Sequence, residues 1–373
     1  MPALLPQAYI PAIVRLVRGN LKLNVCRLMA VLALLAFSAC GRAPSARREF
    51  ALGTVCSVNL YEYGNQKLYS GIFARLREID RTMSARTGIF NNGDSSLMEI
   101  NQNAGIAPVE IANDLLEVLE KATYYAEVSG GAFDPTVGPL VNAWGIGTES
   151  ERIPEPGEIA RALSLINWQD LIINQEEGTA FLRRQGMALD LGAIAKGYAA
   201  DEAVRIAREA LADRAIIDLG GNIAAMGGRN GAIHDAALTP WRVGIQDPLK
   251  KRGEYLGVLS IINKSVVTSG VYERYFESGG KRYHHILSTT DGYPVDNGLL
   301  SVTIVADNSV DADGLSTAVF TLGFRQGLAL LETIPDTEGI FVFDDHGVYI
   351  TAGLKNVFRL NGDEYVMKDS ADM

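Results

Sequence analysis

The chain is poor in cysteine, since its 373 residues include only three. Cys26 and Cys40 lie near the N-terminus, in a segment with the features of an export signal, so Cys56 alone is left for the folded part. A single cysteine excludes an intramolecular disulfide. A chain of this length and composition, 47% hydrophobic and 21% charged, does not need one because it buries a large core.

Acidic residues are absent from the N-terminal segment, and the first is Glu49. The segment carries four basic residues and then an apolar run over residues 28–37, followed by Ser38, Ala39 and Cys40. The run is too short to span a bilayer as a helix, and small residues directly before a cysteine are typical of lipoprotein processing. The pattern therefore predicts a signal peptide over residues 1–39 and a lipid on Cys40.

This N-terminus predicts an exported protein, held by its lipid at the inner membrane and facing the periplasm. The residues that follow Cys40 suggest a short tether over residues 40–49. No low-complexity linker occurs after it. We therefore expect one folded domain over residues 50–368.

Positive charge is also scarce, because 34 lysines and arginines face 44 aspartates and glutamates. Loss of the four basic residues of the leader would take the formal charge from −10 to −14. Such a balance argues against a nucleic-acid partner. A phosphate-bearing ligand would meet an unfavourable long-range potential, so its binding must come from local cations, helix N-termini or a metal ion.

Helical and strand-like segments alternate irregularly along the chain. Apolar residues at helical spacing predict helices over residues 69–85, 113–129, 157–165, 193–212 and 313–322, with the last continuing into 326–333. Strand-like runs cover residues 52–61, 215–227, 241–246, 255–262, 282–288, 299–306 and 339–351. The order lacks a regular βαβ alternation, which favours an α+β fold with mixed or antiparallel sheets and flanking helices.

Asp313 and Thr317 lie four residues apart at the predicted start of a late apolar helix, so they share one helix face. A carboxylate and a hydroxyl oxygen at a helix N-terminus suit a small hard cation, which in turn would hold a phosphate. The alternative is that Asp313 only caps the helix while Thr317 packs.

The segment ALDLGAIAKGYAADEA, from Ala188, predicts a buried strand that turns at Gly192 and enters a helix carrying Lys196 in its first turn. Backbone N–H groups and a lysine at such a turn form an anion site, although the spacing matches neither nucleotide-binding glycine motif. Asp190 ends the apolar run and needs a partner, such as a ligand hydroxyl, a ring N–H or Lys196. A tight turn with a solvated lysine is the alternative.

Residues 130–147, GGAFDPTVGPLVNAWGIG, form a segment rich in glycine and proline around a few bulky side chains. Such a loop follows a ligand closely, and Phe133 and Trp144 offer flat surfaces to a ring system. The alternative is a helix stop followed by a tryptophan of the core.

His284 and His285 are adjacent on an apparent strand. Neighbouring strand residues point to opposite faces, so at most one of the two faces a site. A site-facing histidine with a near-neutral pKa is suited to act as general base on a hydroxyl nucleophile.

Seven segments, taken in order, resemble the ApbE family of flavin transferases, which move FMN from FAD onto a threonine or serine of a target protein. They are GGAFDPTVGPLVNAWGIG, LDLGAIAKGYAAD, IIDLGGN, GIQDP, TSGVYER, HHILSTTDGYP and ADGLSTAVF. The resemblance runs from about Leu52 to about Leu354. It implies a single catalytic body related to the T-fold, and lipoprotein export like that indicated by the N-terminus.

The resemblance also implies roles for individual residues. Mg²⁺ would be held by Asp313, Thr317 and the backbone carbonyl of Ala193, and His285 would be the base that deprotonates the acceptor hydroxyl. The FAD pocket would comprise Ala132, Phe133, Asp134, Asp190, Lys196, Ser269, Gly270 and Ile286. The implied acceptors carry a segment of the D-x-x-[ST]-G-A-T type, as in periplasm-facing subunits of Rnf- or Nqr-type redox complexes.

The chain departs from the family pattern at four places. Leu52 replaces a usual methionine, Arg86 a frequent aromatic residue, Ser288–Thr289 an Asp-Pro pair, and Ser316 an acidic residue of some members. The altered loop at Ser288 raises an alternative in which water replaces the acceptor, so that FAD is hydrolysed to FMN and AMP. A further alternative is a lipoprotein that binds flavin without turnover.

Overall fold

The computed structural model describes residues 46–85, 95–231 and 237–369. The predicted signal peptide, Cys40 and Arg86 lie outside this part of the chain. Its helices are α1 (Gln66–Met83), α2 (Ser96–Gln102), α3 (Asn113–Val128), α4 (Gly138–Trp144), α5 (Pro156–Leu163), α6 (Ala195–Glu209), α7 (Ser309–Leu322) and α8 (Phe324–Leu331). No helix within the described ranges has the length and apolar character needed to cross a bilayer.

The strands, in chain order, are β1 (Arg47–Ala51), β2 (Thr54–Leu60), β3 (Val109–Glu110), β4 (Leu171–Asn174), β5 (Thr179–Leu182), β6 (Ala215–Leu219), β7 (Asn222–Met226), β8 (Trp241–Gln246), β9 (Tyr255–Ile261), β10 (Lys264–Gly270), β11 (Tyr275–Ser278), β12 (Lys281–His284), β13 (Leu299–Ala306), β14 (Glu338–Phe343), β15 (Gly347–Ile350), β16 (Phe358–Leu360) and β17 (Val366–Met367). The main sheet has nine strands in the order β1-β2-β6-β7-β10-β13-β14-β15-β17. Neighbouring strands of this sheet are antiparallel, except that β15 and β17 are parallel. These mostly antiparallel sheets with flanking helices confirm the α+β class.

Both faces of the main sheet are buried, which explains why β13 is a nearly continuous apolar run. Ile304 packs with the helices on one face, whereas its neighbour Val305 packs with the small sheet β16-β9-β8 on the other. Side chains alternate faces along a strand, so a run covered on both sides cannot show the polar–apolar alternation of a half-exposed strand. The first of these two cores holds α1, α6 and α7, the elements that approach the candidate site.

Two runs expected as single strands are hairpins, and a third begins in a turn. The run 52–61 begins in the turn between β1 and β2, where Leu52 (φ 54) and Gly53 (φ 68) adopt left-handed backbone. Gly220 and Gly221 make the β6–β7 turn in the same way, and the run 339–351 divides into β14 and β15. Because β1 begins at Arg47, the ordered sheet already includes residues that the sequence assigned to the tether.

The late apolar helix begins earlier than predicted. α7 starts at Ser309, so Asp313 is its fifth residue and does not cap it. The cap comes from a different helix, since the Asp201 carboxylate of α6 accepts the N–H groups of Ser309 and Val310, both at 2.8 Å. A cap supplied across the fold leaves no signal in the local sequence, and for that reason the predicted start was wrong.

Of two further helix ends, one agrees with the prediction. α3 begins at Asn113, the first residue of the predicted helix, and Ala112 precedes it without a side-chain cap. The late helix predicted to continue to residue 333 is instead two helices, because Gly323 (φ 77) separates α7 from α8. Glycine reaches this conformation without steric cost.

Candidate functional site

One cleft of about 740 Å³ collects residues from segments far apart in the chain. Its wall is built from the β1–β2 turn, the loop before α4, the first turn of α6, the end of β10, the segment after β12 and one face of α7. The residues that the sequence analysis assigned to a site and that line this cleft are Ala132, Phe133, Asp134, Trp144, Asp190, Ala193, Lys196, Ser269, His285, Ile286, Asp313 and Thr317.

Gly270 does not line the cleft. Ser269 precedes Gly270 on β10 and lines the cleft. Consecutive strand residues point to opposite faces, so Gly270 points away from the cleft. A Cβ on Gly270 would lie 2.6 Å from the Tyr272 ring and 3.2 Å from the Leu300 carbonyl oxygen. The placement of Gly270 in the flavin pocket is therefore not supported, because the strand turns it away from the site.

Asp313 is the most deeply buried carboxylate of the cleft wall and is only 3% exposed. Its Oδ2 accepts the N–H of Gly197 at 2.8 Å, and its Oδ1 lies 3.5 Å from Lys196 Nζ. Both partners belong to the first turn of α6, so the mid-chain turn and the late helix meet at this carboxylate. A buried carboxylate without such partners would be strongly destabilising.

The Ala193 carbonyl lies at the same junction. α6 begins at Ala195, so the Gly197 N–H is one of the first-turn donors that have no partner within their own helix, and Asp313 accepts it. Ala193 precedes the helix and lines the cleft, and no backbone N–H of the described residues donates to its carbonyl oxygen.

Thr317 lies one helical turn after Asp313, and its Oγ1 lies 3.2 Å from Ser269 Oγ. Ser269 is also within 2.8 Å of Ser316 Oγ, which donates to the Asp313 carbonyl at 2.9 Å. Ser316, one of the four departures from the family that the sequence resembles, is thus buried in a hydroxyl network behind the cleft.

The oxygen atoms of Asp313, Thr317 and Ala193 fit Mg²⁺ only if the ion is shared with a ligand. Within the ranges that the structure describes, no cluster of three or more histidine, cysteine or acidic side chains is suited to hold a metal. Magnesium, however, commonly takes one or two carboxylates, several waters and the phosphates of a substrate. One carboxylate, one hydroxyl and one carbonyl therefore fit an ion shared with a phosphate ligand.

The contact between α6 and α7 depends on a glycine, and the substitution Gly197→Ala is expected to destabilise the protein. A Cβ there would lie 2.4 Å from the Ser309 carbonyl oxygen and 2.8 Å from Asp313 Cβ. Such overpacking costs about 1–3 kcal/mol, which outweighs the gain in helix propensity. Urea unfolding measures the loss.

Gly71→Ala is the matched control, because Gly71 is exposed within α1 and nothing lies within 4 Å of its added Cβ. There the same change should stabilise the protein by about 0.5–1 kcal/mol. Equal effects of the two substitutions would show that α6 and α7 are not in close contact.

Lys196 extends from α6 toward the turn between β6 and β7. Its Nζ donates to Asn222 Oδ1 at 3.0 Å, so the ammonium is held between an amide and the Asp313 carboxylate. Asn222 is 3% exposed and its Nδ2 has no hydrogen-bond partner among the described residues. The lysine is therefore a positioned charge and not the solvated side chain of the alternative interpretation.

His285 and His284 face opposite ways, as predicted from strand alternation. His285 lines the cleft. His284 is buried, donates through Nε2 to the Val295 carbonyl at 2.9 Å and accepts the Ile286 N–H at Nδ1. Both ring nitrogens of His284 are engaged, so it is structural.

His285 is oriented by the backbone of Arg274. Its Nδ1 lies 3.3 Å from the Arg274 carbonyl oxygen, which can only accept, so Nδ1 carries the proton and Nε2 keeps its lone pair. Burial, reinforced by the positive charge of Arg274, lowers the pKa of His285 to about 3. In the ligand-free chain the ring is therefore neutral and Nε2 can accept a proton, but its pKa lies below the near-neutral value that suits a general base.

Asp134 and Asp190 shape the cleft through local hydrogen bonds. Asp134 Oδ1 accepts from the Thr136 N–H and hydroxyl, and its Oδ2 accepts from the Trp168 N–H. Asp190 Oδ1 accepts from the Gly192 N–H at 2.8 Å, and no ion pair joins it to Lys196 within the described residues. Trp144 is fully buried and donates to the Gly292 carbonyl, as in the core alternative.

Sequence reasoning missed two cations of the cleft, Arg252 and Arg274. Both are exposed, and within the described part of the chain neither makes an ion pair. A Cβ on Gly147 would lie 3.5 Å from Arg274 Cδ, and one on Gly53 would lie 3.7 Å from its guanidinium. Arg274 thus crosses the cleft between two turns; it ends the segment TSGVYER, but that segment alone does not show that the side chain reaches the cleft.

Comparison with known proteins identifies this arrangement. The profile of the ApbE family matches residues 52–341. A protein of Treponema pallidum (strain Nichols), named FAD:protein FMN transferase, is 37% identical over 331 residues, covering 86% of this chain and 91% of the relative. A protein of the same name from Klebsiella pneumoniae (strain 342) is 35% identical over 301 residues, covering 81% of this chain and 90% of the relative.

Solved structures of ApbE proteins are also similar to this chain. The crystal structure of the ApbE protein from Thermotoga maritima matches with a TM-score of 0.75 and 30% identity, covering 85% of this chain and 99% of the other. The flavin transferase ApbE from Vibrio cholerae matches with a TM-score of 0.72 and 26% identity, covering 84% and 98%. The likeness spans nearly the whole of both known chains.

Proposed function

The chain belongs to the ApbE family, and from this premise we propose that it transfers FMN from FAD to a threonine or serine hydroxyl of an acceptor protein, releasing AMP. The relatives named FAD:protein FMN transferase support the flavin transfer. The observation that carries the detailed reaction is the single cleft in which Asp313, Lys196 and His285 converge.

In this proposal the diphosphate of FAD lies over the first turn of α6, where Lys196 and the N-terminal amides of the helix face it. Arg252 and Arg274 add positive charge in an otherwise acidic protein. Asp313, Thr317 and the Ala193 carbonyl would hold Mg²⁺, which when bound supplies charge neutralisation at the diphosphate. The local potential thereby overcomes the repulsion expected from the net charge.

His285 Nε2 is the proposed base. It takes the proton of the acceptor hydroxyl while that oxygen forms a bond to the FMN phosphorus and the bond from this phosphorus to the bridging oxygen breaks. The bridging oxygen leaves with AMP. Burial is the main cause of the lowered pKa of His285 and the Arg274 charge adds to it. Binding of the anionic diphosphate beside Arg274 offsets this second contribution, so the base strengthens when FAD is bound.

The test is incubation of the protein with FAD, Mg²⁺ and an acceptor carrying a D-x-x-[ST]-G-A-T type segment. We expect the acceptor to gain the mass of an FMN group, with one AMP released per transfer. AMP release without any acceptor would indicate an FAD pyrophosphatase instead. Stoichiometric FAD binding with no AMP under any of these conditions would indicate a flavin-binding protein and contradict the proposal.

We also propose that the chain is an exported lipoprotein of the inner membrane facing the periplasm, and that its acceptors are subunits of Rnf- or Nqr-type complexes. The order of basic residues, apolar run and Ser38-Ala39-Cys40 supports the export. Replacement of Cys40 by serine should abolish incorporation of labelled fatty acid, and unchanged labelling would rule out the lipid site.

A further inference from the structure

The hairpin formed by β11 and β12 leads directly into the cleft. Its two strands make a separate two-stranded sheet, joined by Gly279 (φ 60) and Gly280 (φ 78). The His285 N–H donates to the Arg274 carbonyl at 3.1 Å, which extends the ladder by one more pair. His285, the base of the proposed reaction, is therefore held by the backbone hydrogen bonds of the hairpin.

One face of the hairpin is packed against the body of the protein. Phe276 and Tyr283 stack on each other with ring centroids 5.2 Å apart, and Tyr283 lies 5.6 Å from Trp144. The opposite face carries Tyr275, with the Arg282 guanidinium 4.1 Å from its ring. Packing on the buried Trp144 holds the hairpin in a definite orientation relative to the cleft.

The edge of β11 presents main-chain groups to solvent. In an antiparallel ladder, hydrogen-bonded pairs alternate with pairs whose N–H and C=O groups point outward. Since Arg274 and His285 are a hydrogen-bonded pair, Tyr275 and Glu277 belong to the outward class. Among the described residues β11 pairs with β12 only, so these donors and acceptors are available to another strand.

An open groove of about 710 Å³ runs along this edge, between residues 275–278 and the loop of Glu151, Arg152 and Ile153. The loop is fixed, because the Arg152 N–H donates to the Trp144 carbonyl at 3.1 Å and the Arg152 guanidinium binds Glu158 at 2.7 Å. Ile153 and Tyr275 are 42% and 40% exposed, so the groove also offers apolar surface.

We propose that an extended segment of the flavin-accepting protein binds in this groove as an added strand on β11, and that this delivers its hydroxyl to His285. The inference rests on the proposed transferase function. From Glu277 to Arg274 is a span of about 10 Å in an extended strand, so a few acceptor residues reach the cleft. Recognition through main-chain hydrogen bonds suits acceptors whose flanking side chains differ.

The first test compares Glu277→Pro with Arg282→Pro, measured by steady-state flavinylation of an acceptor carrying the D-x-x-[ST]-G-A-T type segment. The two residues are a cross-strand pair whose N–H groups both point outward, so each proline leaves the ladder intact and breaks the same ion pair. Only Glu277 lies on the groove edge. We expect its substitution to raise the acceptor KM roughly tenfold or more, and Arg282→Pro to leave it nearly unchanged.

The second test does not depend on the hairpin tolerating proline. A photo-reactive benzophenone amino acid placed at Ile153 should cross-link to the acceptor near its modified threonine. The same group at Tyr255, which is 52% exposed on β9 and is not among the residues lining the groove or the cleft, is the control. Mass spectrometry locates the linked peptide.

Each outcome decides between the two proposals. Equal KM changes for the two proline variants, or equal cross-linking from Ile153 and Tyr255, would overturn the docking surface while leaving the transferase function intact. A self-associated protein with an unchanged acceptor KM for Glu277→Pro would show that a second copy covers the edge, which also overturns it. Absence of flavinylation by the unsubstituted protein would overturn the transferase function itself.

Discussion

Replacement of Asp313 by asparagine is expected to reduce flavin transfer by roughly 10³-fold, the scale found when an electrostatic contribution to the transition state is removed. Asparagine has the same shape and keeps an oxygen to accept the Gly197 N–H, so the contact between α6 and α7 survives. What it lacks is the negative charge beside Lys196 and the proposed metal position. The measurement is the rate of acceptor flavinylation as Mg²⁺ is varied, together with the thermal midpoint.

Asp311→Asn is the matched control on the same helix. Asp311 faces away from the cleft and is held by Lys121 at 2.8 Å and the Tyr125 hydroxyl at 2.6 Å. The change should lower stability modestly and leave the transfer rate within a few-fold. If Asp313→Asn kept full activity with unchanged Mg²⁺ dependence, the metal position assigned to Asp313 would be wrong.

Replacement of His285 by asparagine is expected to reduce transfer by about 10²- to 10⁴-fold while leaving FAD affinity nearly unchanged. The asparagine side chain can still donate to the Arg274 carbonyl, as Nδ1 of the histidine does, but it provides no base in place of Nε2. The readout is single-turnover flavinylation beside FAD binding measured by fluorescence. His284→Gln is the control, and it should affect stability more than rate because His284 only bridges buried backbone groups.

The pH dependence offers a second measurement on the same residue. A histidine of ordinary pKa would be only about 3% neutral at pH 5, and kcat/KM would fall below pH 6.5. Because the pKa of His285 in the ligand-free protein is lowered to about 3, its neutral form persists and kcat/KM should hold down to about pH 5. A fall with a midpoint near 6.5 that vanishes in His285→Asn would contradict the buried environment of the ring.

Several features of the cleft follow from short-range patterns and were predictable. Asp313 and Thr317 share a helix face because they are one turn apart, and this holds even though the helix begins four residues earlier than expected. His284 and His285 divide between core and cleft because strand side chains alternate. Periodicity of this kind depends on backbone geometry alone, which the local sequence specifies.

Other features arise from contacts between distant segments. The cap of α7 comes from Asp201 on another helix, and the Gly197 N–H, which has no partner within its own helix, donates to Asp313 on α7. Arg252 lies in none of the seven segments and Arg274 only ends one of them, so their position in the cleft depends on where β10 and the neighbouring loops place the chain. These features had no signal at the level of single segments.

The sequence alone was therefore sufficient for the α+β class, the family and most of the residues that meet in the cleft, because each is encoded in a period, a spacing or a short ordered motif. Tertiary structure decided which of those residues share a wall, that Gly270 faces away from it, how far the pKa of His285 is depressed, and that β11 leaves an edge open beside it. The physical reason is that distances, burial and electrostatic potential depend on groups brought together by folding, and no local pattern contains them.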